Sequence, residues 1–522
     1  MKRIAALILA CLMCLTLLAG CGSNNSSSAP ANSGSSTSGG DSGNDSASGA
    51  DNSNSEFDEP PVEIWIENLT LGQNMPDLEA VEAAIDEITV PAINVTVKLK
   101  NTHIAEHTNS ITLAAAGGDK MDIVTTGRNY KLTQMVADGV LLPLEDLMAE
   151  YAPILTEKTA DVIAGTTVGE HVYAIPGQLY FFGSVGIIYN KDMAKDYNIT
   201  VPDNLTYADL EAIAPTLKEH GVYLLSKGDG VNAEMHFNMY APNWYGFGNA
   251  MYGMVAKGDA NAEVVNIFKT DTYHDFLVNC RQWYENGWVP QDSMTNGVNV
   301  RDYMITGQAF CEGGNTNPMQ IGTLQPQYDF AIDLKPFADP EPTTDSVQEH
   351  GWGIHMNCKR PDKAMQLLEM MYSNEELVNL LSSGIEGKDY VHVSDRIVTY
   401  PEGVDVSNVG YTRVFSDFGD IMQIYQWAPV TEDAFDECME IAHRAVKSPY
   451  FGYSFDTSNL SAQIANCNTV INEYLPGLFV GIYSEDQMEQ RYKEMIDALD
   501  ASGINEIIEE NQKQLNEWLA KQ

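Results

Sequence analysis

The residues best placed to do chemistry fall into two sets. Trp65 and Glu67, Thr126 and Arg128, and Asn315 with Thr316 each stand at or just beyond the end of a segment that reads as a strand. In open α/β sheets that end of the strands is where ligands sit. The second set is aromatic: Tyr180-Phe181, Trp244-Tyr245 after a Pro-Asn turn, Trp352 between two glycines, and Trp427 with Tyr425 two residues earlier. Trp and Tyr offer flat apolar faces with few rotamers to freeze, while Glu, Asn and Arg offer planar groups that hydrogen-bond in pairs. Such residues hold a ligand; they do not by themselves break a bond. One motif points elsewhere. His103, Glu106 and His107 fit H-x-x-E-H, a zinc pattern in which two His bind metal and Glu serves as base. The segment opens a helix of a sheet domain, however, where Glu and His are ordinary solvent-facing residues. No Ser elbow, Walker loop or G-x-G-x-x-G after a strand occurs; no cofactor and no metal ligands are assigned from the sequence, and a structural ion is left open.

The elements that must position these groups alternate. Val62, Ile64 and Ile66 make a short strand, Leu78, Val81, Ile85 and Ile88 one face of a helix, and Ile93, Val95, Val97 and Leu99 a second strand. A helical run through Ile111, Leu113 and Ala114 stops at Gly117-Gly118, and 121–125 reads as a buried third strand. Strand-helix-strand-helix-strand argues for a mostly parallel, doubly wound sheet. A second α/β stretch follows, with strands over 186–189 and 307–311, the latter ending in a Gly-rich loop, and a helix over 207–217. Helices then dominate (361–372, 374–381, 485–499). The last, 504–520, carries an apolar stripe of Ile504, Ile507, Ile508, Leu515, Trp518 and Leu519. Trp283 and Trp288 read as packing residues of a helix, and Glu386 and Tyr390 as either a cleft wall or a stabilising turn.

The N-terminus reads as an export signal. Lys2 and Arg3 precede an apolar run over 4–18 that is short for a membrane span, and Leu18-Ala19-Gly20-Cys21 puts small residues before a cysteine. That is the pattern of a bacterial lipobox. Residues 1–20 are thus expected to be removed and the Cys21 thiol to carry lipid. Residues 22–57 are nearly all Ser, Gly, Asn, Asp and Ala, too polar to offset their ordering entropy, so 21–57 reads as a tether. Acidic residues number 73 against 29 basic ones, for a net charge of −44. A field of that sign repels nucleic acid and anionic lipid, which excludes binding through a basic surface. Five widely spaced cysteines follow Cys21 with no C-x-x-C, so neither a disulfide framework nor a zinc site is indicated. Cys438 with Cys467 is the single pair worth considering.

Ordered motifs along 58–522 carry a resemblance. GGDKMDIVTTG (117–127), DGVLLPLEDL (138–147), VGEHVYAIP (168–176), GIIYNKDMAKDYNI (186–199), GVNVRDYMITGQAF (297–310) and RPDKAMQLLEMMYSNEELVNLL (360–381) resemble the family 1 extracellular solute-binding proteins of bacterial ABC importers. GIEGKDY (384–390), SPYFGYSFDTSN (448–459) and VINEYLPGL (470–478) are similar to a lipoprotein subgroup linked to uptake of oligosaccharides or complex glycans. The resemblance implies a two-lobed, periplasmic-binding-protein-like (type II) α/β fold with a hinge and a helical C-terminal region. It places lobe I at 58–178 and 350–400, lobe II at 179–349 and 401–522, and crossings near 176–182 and 341–351. It further implies a monomer with no catalysis of its own, lipid-anchored outside the cell, that delivers an oligosaccharide to a membrane permease pair. On this reading Trp65, Glu67, Thr126, Arg128, Tyr180, Trp244, Tyr245, Asn315, Trp352 and Trp427 line the site. A non-sugar ligand such as a peptide is the alternative, and a surface glycan-degrading enzyme a more distant one.

Overall fold

Two sheets take up the alternating apolar segments. The computed structural model describes residues 57, 59–117, 120–227, 233–292, 294–413 and 419–522. The expected signal peptide over 1–20, Cys21 and the expected tether up to residue 56 lie outside the described residues. The first strand, Val62–Thr70, continues four residues past the expected end. Residues 66–70 are buried on both faces, as in a covered parallel sheet, so no polar alternation marks them in sequence. It pairs in parallel with Val95–His103 and with Ile123–Thr126. The five-stranded sheet runs in the order 95–103, 62–70, 123–126, 351–354, 175–176. Gly351–Ile354 arrives from far along the chain and enters antiparallel between its two neighbours.

The second sheet has the order 332–336, 185–190, 309–315, 223–225. Val185–Asn190 is antiparallel to both its neighbours, whereas 309–315 and 223–225 are parallel. The expected Gly-rich loop after 311 is strand: Ala309–Asn315 continues through Gly313 and Gly314. Those glycines are needed for close approach, because added Cβ atoms would sit 2.7 Å from Met235 Cε and 2.9 Å from Ile188 Cδ1. The chain passes from the first sheet to the second over 177–184 and returns over 337–350.

Each sheet has its own core. Ile64, Ile66, Val81, Ile85, Val95, Val97, Trp352 and the helices Pro361–Ser373 and Glu375–Ser383 form one. Tyr411 and Ile424 belong to that core, so the lobe boundary expected at 400 moves past them. The C-terminal helices Ser461–Val480, Glu485–Ala501 and Ile504–Leu519 pack with Phe276, Leu277 and Cys280 of the second lobe's helical side. Of the expected apolar stripe, Ile504, Ile507 and Leu515 are fully buried, Ile508 and Trp518 are half-buried, and Leu519 is exposed. Periodicity missed the polar member of that face. Asn511 is fully buried, accepts a hydrogen bond from Tyr453 Oη at 2.6 Å and donates to the Tyr252 carbonyl at 2.6 Å. Asn511→Ala is expected to cost about 1–3 kcal/mol by orphaning those groups, and Leu519→Ala under about 0.5 kcal/mol, as read by urea unfolding. All five cysteines of the described residues are free and buried, and Cys438 and Cys467 sit in different clusters.

Beneath the second sheet Lys227 is fully buried, with Nζ 3.2 Å from Cys280 Sγ and close to the faces of Trp283 and Phe479. Burial, with the Lys227 charge added, pushes the neighbouring His236 down to about 3. The unfolded imidazole titrates near 6.5, so below that pH the unfolded chain binds a proton that the folded chain refuses. Stability is therefore expected to fall as pH drops from about 6.5 toward 3, by about 1.4 kcal/mol per unit from this residue. His236→Gln should flatten that part of the slope in denaturant titrations at successive pH values.

Candidate functional site

A cavity of about 390 Å³ opens where both passages between the sheets run, lined by Gly183 to Val185 and by residues of 337–345. Three elements of the second lobe complete it. The helix Ala233–Tyr240 supplies Glu234 and Asn238, and the end of Ala309–Asn315 supplies Asn315. The short strand Trp244–Gly246, paired with Met254–Ala256, presents Trp244 and Tyr245. The return passage adds Asp345 from the helix Thr344–Gln348, whose start is fixed by a reciprocal cap between Thr343 and Ser346. Gly248, at φ +85°, lies so near Asp345 that a Cβ there would be 2.5 Å from Oδ1. From the first lobe, the segment after Ile123–Thr126 brings Lys131 to 5.5 Å from the Tyr252 ring.

Electrostatically the cavity is rich in acceptors. Burial raises the Glu234 carboxyl above the ordinary carboxylate range, offset in part by the Ala250 N–H that donates to it at 3.2 Å. Burial likewise raises Asp345, and the Lys131 charge pulls it back. Glu341 is held by Lys257 at 2.6 Å, and Asp339 by Arg444 at 2.9 Å. The Lys257 ammonium also lies 5.0 Å from the Tyr245 ring. Trp244 Nε1 is buried and meets no acceptor among the described residues. Half-buried aromatic faces beside carboxylates and amides suit a ligand with both C–H surface and many hydrogen-bonding groups.

Of the expected site residues, Trp244, Tyr245 and Asn315 come together here; the others do not. Trp65 lies toward the amino end of its strand, its indole N–H donating to Glu63 Oε1 at 2.7 Å. Glu67 is fully buried, 3.0 Å from His107 Nδ1, and accepts the Thr125 N–H at 3.1 Å. The strand runs on to Thr70, and that takes both residues away from its carboxyl end. Thr126 is fully buried at the end of its own strand. Arg128 is half-buried in the following turn at φ 55° and does not line the cavity. Trp352 is fully buried, paired with Thr125 on one side and Ile175 on the other. Tyr180 sits half-buried within the first passage, and Trp427 packs 4.5 Å from the Tyr400 ring in a small separate sheet; neither reaches the cavity. Trp283 is core, as expected. Gly384 to Tyr390 is a turn closed by Asp389, which accepts the Ile385 N–H at 2.8 Å.

The H-x-x-E-H motif dissolves as a metal site. His107 is buried against Glu67 rather than solvent-facing, while His103 is exposed and caps Ala105 N–H at 3.2 Å. Among the described residues no group of three or more His, Cys, Asp or Glu could hold a metal ion. Glu234, Asn238, Lys257 and Asp345 escaped the sequence reading. The strand Tyr223–Leu225, had it been recognised, would have nominated the helix beyond its carboxyl end.

Residues 77–377 match the model of the bacterial extracellular solute-binding protein family, and 449–520 match a domain of unknown function. With more than half of its length matched, the chain belongs to the bacterial extracellular solute-binding proteins. A relative in Streptococcus pneumoniae serotype 4, a carbohydrate ABC transporter substrate-binding protein, is 22% identical over 77% of this chain and 82% of its own. The crystal structure of the N-glycan transport solute binding protein NgtS from Streptococcus pneumoniae superposes with a TM-score of 0.73 at 20% identity, covering 88% of this chain and 99% of that one. The same protein in complex with Man5GlcNAc gives 0.63 at 20% identity, over 89% and 99%. The fold is thus the expected two-lobed type II α/β fold, and the chain a binder rather than an enzyme. No helix among the described residues is long and apolar enough to cross a membrane.

Proposed function

We propose that this protein captures an oligosaccharide between its lobes, outside a bacterial cell, and delivers it to the permease pair of an ABC importer. The observation that carries this reading is the convergence of Trp244 and Tyr245 with Glu234, Asn238, Asn315 and Asp345 at the passages between two lobes. Sugar rings need flat faces for their C–H surfaces and planar polar groups for paired hydroxyls, and this cavity offers both. The names of its relatives, one a carbohydrate transporter subunit and one an N-glycan transport protein, support the same class. Ligand touching both walls would favour the closed arrangement, which then docks as a monomer on the permeases. Heat stability should rise with glycan present, because ligand binds only the folded chain, by about 2.7 kcal/mol at a hundredfold excess over Kd. The glycan should be recovered unchanged. A thermal-shift screen of glycans and peptides checks this. Stabilisation by peptides alone would overturn the sugar assignment, and degraded glycan would overturn the binding role.

The anchor belongs to the same reading. Two lipid chains or more are needed for stable attachment, and a lipobox Cys21 would carry them. Cys21→Ser is expected to move the protein from the membrane fraction to the medium or to an unprocessed pool, as read by fractionation and immunoblot. Unaltered fractionation would refute the anchor.

A further inference from the structure

Four carboxylates, Glu234, Asp339, Glu341 and Asp345, line the cavity beside Trp244 and Tyr245. The nearby cations are engaged: Lys257 on Glu341 and the Tyr245 face, Arg444 on Asp339. Lys131 approaches from the opposite lobe, beside the Tyr252 ring, and its charge reaches both Glu234 and Asp345. Asp345 is the residue with most to gain from a ligand. It borders the cavity, and among the described residues its carboxylate receives no side-chain donor. An ionised carboxylate accepts only, and leaving it with no donor beyond its own backbone N–H in a site emptied of water is costly. Hydroxyl groups of a sugar would supply those donors. A carboxylated or sulfated sugar would instead bring a second acceptor-only charge against Asp345 and Glu234, in a chain whose net charge is already −44.

Resting on the oligosaccharide reading, we infer that this cavity takes an uncharged, hydroxyl-rich sugar unit, that Asp345 is the acceptor that reads its hydroxyls, and that Asp345 and Glu234 together exclude anionic sugars. The discrimination is local, set by two residues far apart in sequence that the helix Ala233–Tyr240 and the return passage bring to one wall. Asp345 is a specificity-determining residue in this account, and Gly248 is the residue whose missing Cβ lets the carboxylate lie against the backbone.

The test titrates the purified protein calorimetrically with neutral oligosaccharides, Man5GlcNAc among them, and with an oligomannuronate of similar length. The neutral series should include a binder, and the uronate should bind about a hundredfold more weakly or not at all. Asp345→Asn keeps an acceptor and removes the charge, so it should narrow that gap by about tenfold or more. Asp345→Ala should weaken the neutral ligand itself. Equal or tighter binding of the uronate by the unaltered protein would overturn the inference, as would an Asp345→Asn protein with the same neutral-to-uronate ratio. Should no glycan of either kind bind, the oligosaccharide reading fails and this inference falls with it, a result distinct from binding without discrimination.

Discussion

Trp352→Ala is expected to lower the unfolding free energy by about 3–5 kcal/mol, the usual cost of emptying a buried indole site. The indole has no exposed surface, and its backbone bridges Ile123–Thr126 and the edge strand Ile175–Pro176 of the first sheet. Neighbours on both sides hold the backbone, so the core can collapse only partly into the space. The Arg413 guanidinium, 5.4 Å from the ring centroid, would lose its aromatic face as well. Urea unfolding followed by circular dichroism measures the effect. Trp352→Phe should recover most of the stability, and a variant with alanine and undiminished stability would show that the core assignment is wrong.

Trp244→Ala is expected to act the other way round. It should cost about 2 kcal/mol or more of ligand binding, near thirtyfold, while changing the unfolding midpoint little. Trp244 is half-buried on a two-stranded ribbon beside the cavity, with its indole N–H lacking an acceptor among the described residues. A sugar face laid on the half-exposed ring would add dispersion and buried area. Titration calorimetry with whichever oligosaccharide stabilises the protein reads the loss directly. Unchanged affinity would remove Trp244 from the site.

These two tryptophans show what could and could not be read from the chain. Both sit among small or turn-forming residues, Gly-Trp-Gly and Pro-Asn-Trp-Tyr, and both are equally plausible ligand platforms in sequence. What separates them is pairing: residue 352 is sandwiched between two strands that come from distant segments, and no local pattern reports that. The opening strand, helix and strand were legible because their apolar residues recur at the right period, and the third strand because it is a short apolar run after a Gly-Gly stop. The end of the first strand was not, since full burial erases alternation beyond Ile66, and Trp65 and Glu67 were misplaced as a result. Glu234 and Asp345 were invisible for a different reason. In so acidic a chain one carboxylate looks like another until tertiary packing strips two of them of water. The family motifs carried the class of the protein, and the wall of its cavity had to come from the fold.

Capture between two lobes makes one demand that simple surface binding does not, namely that the molecule close around its ligand. Small-angle X-ray scattering of the protein with and without a saturating, stabilising oligosaccharide tests it most directly. The account predicts a smaller radius of gyration and a shorter maximum dimension when the glycan is bound. A glycan that raises heat stability while leaving both dimensions unchanged would contradict it.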